Sequence, residues 1–268
     1  MIWEVPGVDV GHWTDPVART GCTAVLFDGG AVASGEVRGG APATHEFAVL
    51  DPFATVDRID AVVLSGGSAF GLAATAGVVR WCEEQGRGYP TAAGPVPIVV
   101  GLSLFDLLGG DRSLGPVGAG CGATVGTWRG PDAALAGGLV GATAHDGELV
   151  VAALLAVNAW GDVRGHGRDG DPWPAVVDPG SGAGAGPSYG NTTVGVVVTN
   201  ARLDKVACHH VARGAHDGLA RAVTPPHARV DGDALVAASA GDVDVAVELV
   251  RAHAVEVVDA AIRSLPAL

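Results

Sequence analysis

Positive charge is scarce in this sequence. Lys and Arg together number 16 against 29 Asp and Glu, the formal net charge is −13 at pH 7, and Lys205 is the single lysine. Nucleic acids and anionic membrane surfaces are bound by clustered basic side chains. The charge balance therefore argues against a nucleic acid or a membrane as the partner.

Long apolar runs are also missing. Although 48% of the residues are hydrophobic, no stretch reaches the roughly 18 uninterrupted apolar residues that a membrane span needs. The first residues, Met1 to Pro6, have neither the basic start nor the apolar core of a secretory signal. We expect a soluble, cytoplasmic protein whose length allows one domain with a large core.

Spacings typical of metal sites are absent from the sequence. The cysteines Cys22, Cys82, Cys121 and Cys208 contain no CxxC pair, and the nine histidines contain no HExxH pair. The adjacent pair His209-His210 falls on a predicted helix, where neighbouring residues point to different faces. We expect reduced thiols, no disulfide framework, no metal and no cofactor.

Apolar runs between glycines and prolines predict the secondary structure of the amino-terminal half. Thr23–Phe27 and Asp60–Ser65 read as strands, and a glycine turn after the second leads into a helix over Leu72–Gln85. Further strands are expected at Pro116–Val125 and Leu149–Asn158. The second of these is almost continuously apolar, which is typical of a strand covered on both faces.

The carboxyl-terminal part begins with a β-branched strand predicted over Thr192–Thr199. Helices are expected over Lys205–Val223 and Val243–Arg263, with a short turn at Asp231–Asp233 between them. Before the strand, residues 161–190 are rich in Gly, Asp and Pro and predict a flexible loop. A loop of this length inside a compact domain is usually functional or a linker.

The junction of this loop with the strand, Asn191-Thr192, suits self-cleavage. A hydroxyl at such a junction can attack the preceding carbonyl, and water then opens the resulting ester. The α-amino group that is freed titrates near 7.7 to 8.0, so one terminal threonine supplies both nucleophile and base. Taken alone, Asn-Thr-Thr is a weak signal and is far more typical of an ordinary turn that enters a strand.

Several motifs follow one another in order along nearly the whole chain. They are Val10–Asp15, Val37–Pro42, Leu64–Leu72, Val96–Val100, Phe105–Leu107, Val117–Ala123, Val157–Asn158 and Gly190–Gly195. Together they resemble the DmpA-type aminopeptidases and the related nylon-oligomer (6-aminohexanoate oligomer) hydrolases, which are autoprocessing hydrolases of the amino-terminal-nucleophile type.

The resemblance implies an α+β fold, a four-layer αββα sandwich. It implies a single hydrolase domain, 1–268, that is cut into an α fragment, 1–191, and a β fragment, 192–268. The expected substrates are small peptides, amino-acid amides or nylon-type oligoamides, and the expected assembly is a homo-oligomer, a tetramer of cleaved αβ units.

The resemblance also implies roles for individual residues. The nucleophile falls on Thr192, an oxyanion donor on Asn158, and an orienting acidic pair on Asp231 and Asp233. Without the family context, Asp231-Gly232-Asp233 reads as a solvated turn and Asn158 as a hydrogen-bonded strand end. Together they form a nucleophile, an orienter and an oxyanion hole.

The sequence departs from the family pattern at two places. Ala43 and His45 stand where relatives often have Gly and Arg. Thr127, Trp128 and Arg129 occupy the region where some nylon hydrolases have a Lys. Arg129 does not replace that Lys as a proton carrier, because guanidinium keeps its proton near neutrality. The departures leave the substrate and the rate open.

Two other classes of protein compete with this interpretation. Gly118–Ala123 imitates the dinucleotide fingerprint of a nicotinamide-dependent oxidoreductase, but Gly126, Gly130 and Pro131 interrupt the long helix that should follow. A non-catalytic binding protein could have kept the fold and lost the cleavage. The presence of all four expected site residues argues against it.

Overall fold

The computed structural model describes residues 1–107, 117–166, 171 and 190–266. The strands in these ranges are β1 (Val8–Asp15), β2 (Thr20–Val37), β3 (Ala43–His45), β4 (Arg58–Ser65), β5 (Tyr89–Thr91), β6 (Gly94–Val96), β7 (Val99–Ser103), β8 (Thr124–Val125), β9 (Leu135–Ala136), β10 (Gly138–Asp146), β11 (Leu149–Val157), β12 (Asp162–Val163), β13 (Val194–Ala201), β14 (Val223–Thr224) and β15 (Ala234–Val243). The α-helices are α1 (Ser68–Gly71), α2 (Ala73–Glu84), α3 (Lys205–Ala222) and α4 (Val247–Arg263).

The long strand β2 joins two halves of one hydrogen-bonded sheet. The strand order is β10-β11-β13-β15-β2-β4-β7-β3, with β1 also paired to β2. The carboxyl-terminal part of β2 pairs with β15 and its amino-terminal part with β1. The register with β4 shifts between Leu26 and Ala31, where Gly29 and Gly30 have φ of +73° and +76°. Such irregularities bend a strand, and glycine adopts positive φ without steric cost.

The two halves of the sheet face each other across a buried core. Side chains of β11, β13 and β15 pack there against side chains of β2, β4 and β7; they include Leu154, Val196, Val236, Val25, Val62 and Leu102. Helices α3 and α4 cover the outer face of the first half, and α2 covers the outer face of the second. The predicted four-layer αββα sandwich is confirmed.

Hydrophobic pattern accounts for the central elements. Strand β11 is buried along almost its whole length, as its apolar run predicts. The bounds of α2 and α3 lie within one residue of the expected ones. Helix α3 begins after Asp204, whose carboxylate accepts the backbone N–H of Ala207 and caps the helix.

Three predicted elements differ in the structure. The described part of 116–125 holds a 3-10 helix, Gly118–Gly120, and the two-residue strand β8 in place of one long strand. Helix α4 begins four residues later than expected because β15 continues to Val243. The strand expected at 192–199 is β13, shifted by two residues.

The predicted loop 161–190 lies mostly outside the described residues. Of its first part, Asp162 and Val163 form β12, which pairs with β14. Residues 167–170 and 172–189 are not described. Within the described ranges, no helix has the length and apolarity to cross a membrane.

Candidate active site

Asn191 and Thr192 lie just before β13, and each is 3% exposed. The backbone N–H of Thr192 donates to the main-chain oxygen of Asn158 at 2.8 Å. The Thr192 hydroxyl donates to the carbonyl oxygen of Asn191. The hydroxyl therefore rests against the peptide group that precedes it.

Asn158 follows β11 and is fully buried. Its Oδ1 accepts the backbone N–H of Thr124 at 2.8 Å, while its Nδ2 donates to the carbonyl oxygens of Phe105 at 3.0 Å and Gly190 at 3.1 Å. A backbone N–H only donates and a carbonyl only accepts, so these three partners determine the orientation of the amide. Nδ2 points toward the chain directly before Asn191.

Asp231 and Asp233 lie immediately before β15, and both are 1% exposed. Oδ1 of Asp233 accepts the backbone N–H of Thr193 at 2.8 Å, and Oδ2 of Asp231 accepts that of Trp160 at 3.2 Å. The alternative interpretation of this segment as a solvated turn is wrong.

The two carboxyl groups interact electrostatically in this buried setting. Burial raises the pKa of both, and the nearby charge of Asp233 raises the pKa of Asp231 further. Two carboxyls in contact in a buried site retain a proton between them. Burial and the neighbouring carboxylate favour the protonated form of Asp231, and Asp233 is the acceptor for the Thr193 N–H.

Gly232 separates the two carboxyl groups and faces the hydroxyl of Thr192. A Cβ at Gly232 would lie 2.8 Å from Oγ1 of Thr192 and would overlap the carbonyl of Ala41. The backbone at this position lies so close to the Thr192 hydroxyl and the Ala41 carbonyl that only glycine fits.

The segment Arg38–Ala41, part of one of the family-like motifs, lies against the acidic pair. The N–H of Arg38 donates to the carbonyl of Asp233 at 2.7 Å, and that of Ala41 donates to the carbonyl of Asp231 at 2.9 Å. Gly39 has a φ of +100°, and a Cβ there would lie 2.6 Å from the Asp231 carbonyl oxygen. The glycines of this motif allow the chain to pass close behind the acidic pair.

Sequence reasoning missed His227. Its Nδ1 lies 2.7 Å from Oδ2 of Asp233, and its ring lies edge-on to that of His216 with 5.1 Å between the centroids. Burial lowers the pKa of both histidines, that of His216 to about 3. Nε2 of His216 donates to the carbonyl of Glu36 at 2.9 Å. The only sequence signal was the closeness of His227 to Asp233, since Pro-Pro-His-Ala reads as an exposed turn.

The side chain of Asn191 is buried beside Thr127. Its Oδ1 accepts the hydroxyl of Thr127 at 2.8 Å. Next to it, Gly190 packs so closely on the ring of Phe105 that a Cβ would lie 2.9 Å from that ring. Arg129, in the region where some relatives have a Lys, makes a 2.7 Å ion pair with Asp162.

The rival interpretations find no support in these contacts. Gly118–Gly120 is a 3-10 helix followed by the short strand β8, so the strand, turn and long helix of a dinucleotide site are not formed. No group of three His, Cys, Asp or Glu side chains suited to a metal occurs among the described residues. All four cysteines are free thiols.

Comparison with known proteins extends these observations. The model of peptidase family S58 matches residues 1–265. An uncharacterized aminopeptidase of Mycobacterium leprae is 37% identical, over 91% of this chain and 79% of its own length. A 6-aminohexanoate-oligomer endohydrolase of Kocuria sp. is 26% identical, over 90% of this chain and 75% of its own.

A solved structure shares the fold. It is the L-aminopeptidase D-Ala-esterase/amidase of Ochrobactrum anthropi, described as a variant of the Ntn hydrolase fold. It superposes with a TM-score of 0.70 at 19% identity, over 98% of this chain and 84% of its own. The chain therefore belongs to peptidase family S58, is an amidohydrolase and has the Ntn hydrolase fold.

Proposed function

We propose that this protein cuts its own chain between Asn191 and Thr192 and then hydrolyses amide bonds with Thr192 as an amino-terminal nucleophile. The observation that carries the proposal is the contact of the Thr192 hydroxyl with the carbonyl of Asn191. A nucleophile held against the group that it attacks replaces a bimolecular encounter by a unimolecular step.

In the self-cleavage step, Oγ1 of Thr192 bonds to the carbonyl carbon of Asn191 and the C–N bond breaks. The hydroxyl proton passes to the nitrogen, which becomes the α-amine of Thr192. Water then hydrolyses the ester and releases the carboxylate of Asn191. The N–H groups of Thr192 and Thr193 donate to the main-chain oxygen of Asn158 and to Asp233, and these bonds hold the Thr192 side of the junction. On the other side, the Thr127 hydroxyl donates to the side chain of Asn191.

The freed α-amine is the general base in turnover. The main-chain oxygen of Asn158, which accepts the Thr192 N–H at 2.8 Å, keeps the nitrogen beside its own hydroxyl. The amine takes the hydroxyl proton as Oγ1 attacks the substrate carbonyl, and it returns the proton to the leaving amine. An α-amine has a pKa suited to this task near neutrality.

Asn158 supplies an oxyanion donor. In the uncut chain its Nδ2 is engaged by the carbonyls of Phe105 and Gly190. When residues before the cut withdraw, the N–H bonded to Gly190 becomes available to the oxygen of the tetrahedral intermediate. Such a donor contributes about 2.7 to 4 kcal/mol to lowering the barrier.

The acidic pair orients the nucleophile. Asp233 binds the N–H of Thr193 directly, and the proton held by Asp231 limits the charge that is buried there. Arg129 remains protonated and paired with Asp162. The α-amine, rather than a side chain in the region of the relatives' Lys, therefore carries the proton.

The relatives support a proposed substrate class. Their names describe an aminopeptidase and an endohydrolase of 6-aminohexanoate oligomers. We propose small peptides, amino-acid amides and nylon-type oligoamides as substrates of this chain, which acts as a homo-oligomer of cleaved units in the cytoplasm.

Four variants test the proposal in an assay with amino-acid p-nitroanilides and linear oligoamides. Thr192→Ala and Thr192→Val should neither be cut nor hydrolyse any substrate, while Thr192→Ser should keep part of both activities. Thr193→Ala is the matched control, since its backbone N–H still binds Asp233, and it should be cut and active. An active Thr192→Val would exclude Thr192 as the nucleophile.

A further inference from the structure

The Asn191 side chain occupies its buried position only in the uncut chain. In the uncut chain, Oδ1 of Asn191 accepts the Thr127 hydroxyl at 2.8 Å, and its Nδ2 has no partner among the described residues. Self-cleavage under the proposed function releases the carboxyl group of Asn191. Departure of this residue leaves a space of asparagine size lined by a hydroxyl.

Self-cleavage and turnover share one chemical intermediate. In self-cleavage, Oγ1 of Thr192 carries the Asn191 acyl group as an ester, and the α-amine of Thr192 is free. In turnover, the same oxygen carries the substrate's acyl group beside the same free amine. Water opens both esters, and in both the acyl residue is attached to the same oxygen of Thr192.

We infer that the place occupied by the Asn191 side chain becomes the subsite for the acyl residue of the substrate, and that Thr127 determines its specificity. This inference rests on the proposed function and names its substrate class: amides of small polar acyl residues, with asparaginyl amides foremost. The Thr127 hydroxyl donates to an acceptor at the position of the Asn191 side-chain oxygen, as it does in the precursor.

Charge and size exclude other acyl residues. The acidic pair Asp231 and Asp233 retains negative charge beside Thr192, which disfavours an aspartyl carboxylate relative to the neutral amide. A leucyl side chain is close to asparagine in size but would cover the half-buried Thr127 hydroxyl without giving it a partner. An unpaired buried hydroxyl is costly, so leucyl amides should be poor substrates.

The test compares asparaginyl, aspartyl, leucyl and alanyl p-nitroanilides with the cleaved protein. The kcat/KM for the asparaginyl substrate should exceed that for the leucyl one by about tenfold, the ratio typical of one buried hydrogen bond. In Thr127→Val the ratio of asparaginyl to alanyl kcat/KM should fall by about the same factor, and Thr127→Ser should restore it. Thr143→Val, the same substitution on β10, should leave the ratio unchanged.

The outcomes separate the inference from the proposed function. Hydrolysis of alanyl p-nitroanilide with no preference for the asparaginyl substrate, or an unchanged ratio in Thr127→Val, would overturn the inference and leave the function standing. Failure of the cleaved wild-type protein on every amide would overturn both. Intact mass identifies the cleaved fraction of each variant, and if Thr127→Val is not cut, the ranking of the four substrates by the wild type decides.

Discussion

The half-buried His227 lies against the buried Asp233, with 2.7 Å between Nδ1 and Oδ2. Asp233 uses its other oxygen to accept the backbone N–H of Thr193 at 2.8 Å. His227 therefore acts on the nucleophile only through Asp233, by holding its carboxylate in one orientation. It is a positioning residue in the proposed mechanism.

Replacing His227 should test whether it positions the carboxylate of Asp233. His227→Ala removes the donor to Asp233 and should lower kcat about tenfold to a hundredfold with little change in KM, because a hydrogen bond to a charged group is worth about 1.5 to 3 kcal/mol. His227→Asn places an amide N–H near the position of Nδ1 and should recover most of the rate. Equal kcat values in His227→Ala and the wild type would show that His227 does not position Asp233.

Gly232→Ala should block the site without removing any functional group. The new Cβ would lie 2.8 Å from Oγ1 of Thr192 and would overlap the Ala41 carbonyl. We expect the variant to remain largely uncut, as seen by intact mass. Gly147→Ala is the control, because a Cβ there meets nothing within 4 Å, although its φ of +59° carries some backbone strain. Normal cleavage of Gly232→Ala would contradict the close approach described here.

Asn158→Ala should lower kcat by about 100-fold or more. The removed amide donates to Phe105 and Gly190 and accepts from Thr124, so thermal unfolding must be measured alongside to show that the fold persists. The loss of kcat should be similar for all p-nitroanilides, since an oxyanion donor binds the carbonyl oxygen and does not contact the acyl side chain. Activity within threefold of wild type would exclude Asn158 from the oxyanion hole.

The free energy of unfolding should depend on the ionisation of His216 at acidic pH. Burial lowers the pKa of folded His216 from 6.5 to about 3, so below pH 6.5 the unfolded chain binds a proton that the folded chain does not. This contribution to stability is present above the unfolded pKa and is lost as pH falls toward 3. The loss is about 1.4 kcal/mol per pH unit within that window.

His216→Gln removes this titration and keeps a donor for the Glu36 carbonyl. In the Thr192→Ala background, where the chain should stay intact, urea unfolding at about pH 6.5 and about pH 5 gives the comparison. The parent should lose about 2 kcal/mol more than the Gln variant between these pH values. Asp231 and Asp233 act in the opposite sense, because their raised pKa values favour the folded state as pH falls, and they are common to both proteins. Equal losses would show that His216 is protonated in the folded state.

Apolar patterns predicted the centre of the fold because burial there is continuous. Strand β11 and helices α2 and α3 were found close to their expected bounds for this reason. The extent of β2 could not be read in the same way, since Asp28-Gly29-Gly30 has the composition of a turn. In the structure, this segment bends a strand that continues on both sides and connects the two halves of the sheet.

The candidate site was predicted from family motifs rather than from local pattern. Asp231-Gly232-Asp233 has the composition of an exposed turn, and it is buried by contacts with segments far along the chain, including Arg38–Ala41 and Trp160. His227 depends on a contact between two loop residues, for which a single sequence contains no periodic signal. Thr127 was noted only as a departure from the relatives, although its hydroxyl binds the residue before the expected cut.

The most direct test of the central claim is the amino-terminal sequence and intact mass of the purified, active protein. Self-cleavage between Asn191 and Thr192 predicts two fragments, 1–191 and 192–268, and the smaller one begins Thr-Thr-Val-Gly-Val. A fully active preparation that consists of one uncut chain would contradict autoprocessing. A smaller fragment that begins Thr-Val-Gly would shift the cut by one residue and assign the nucleophile to Thr193.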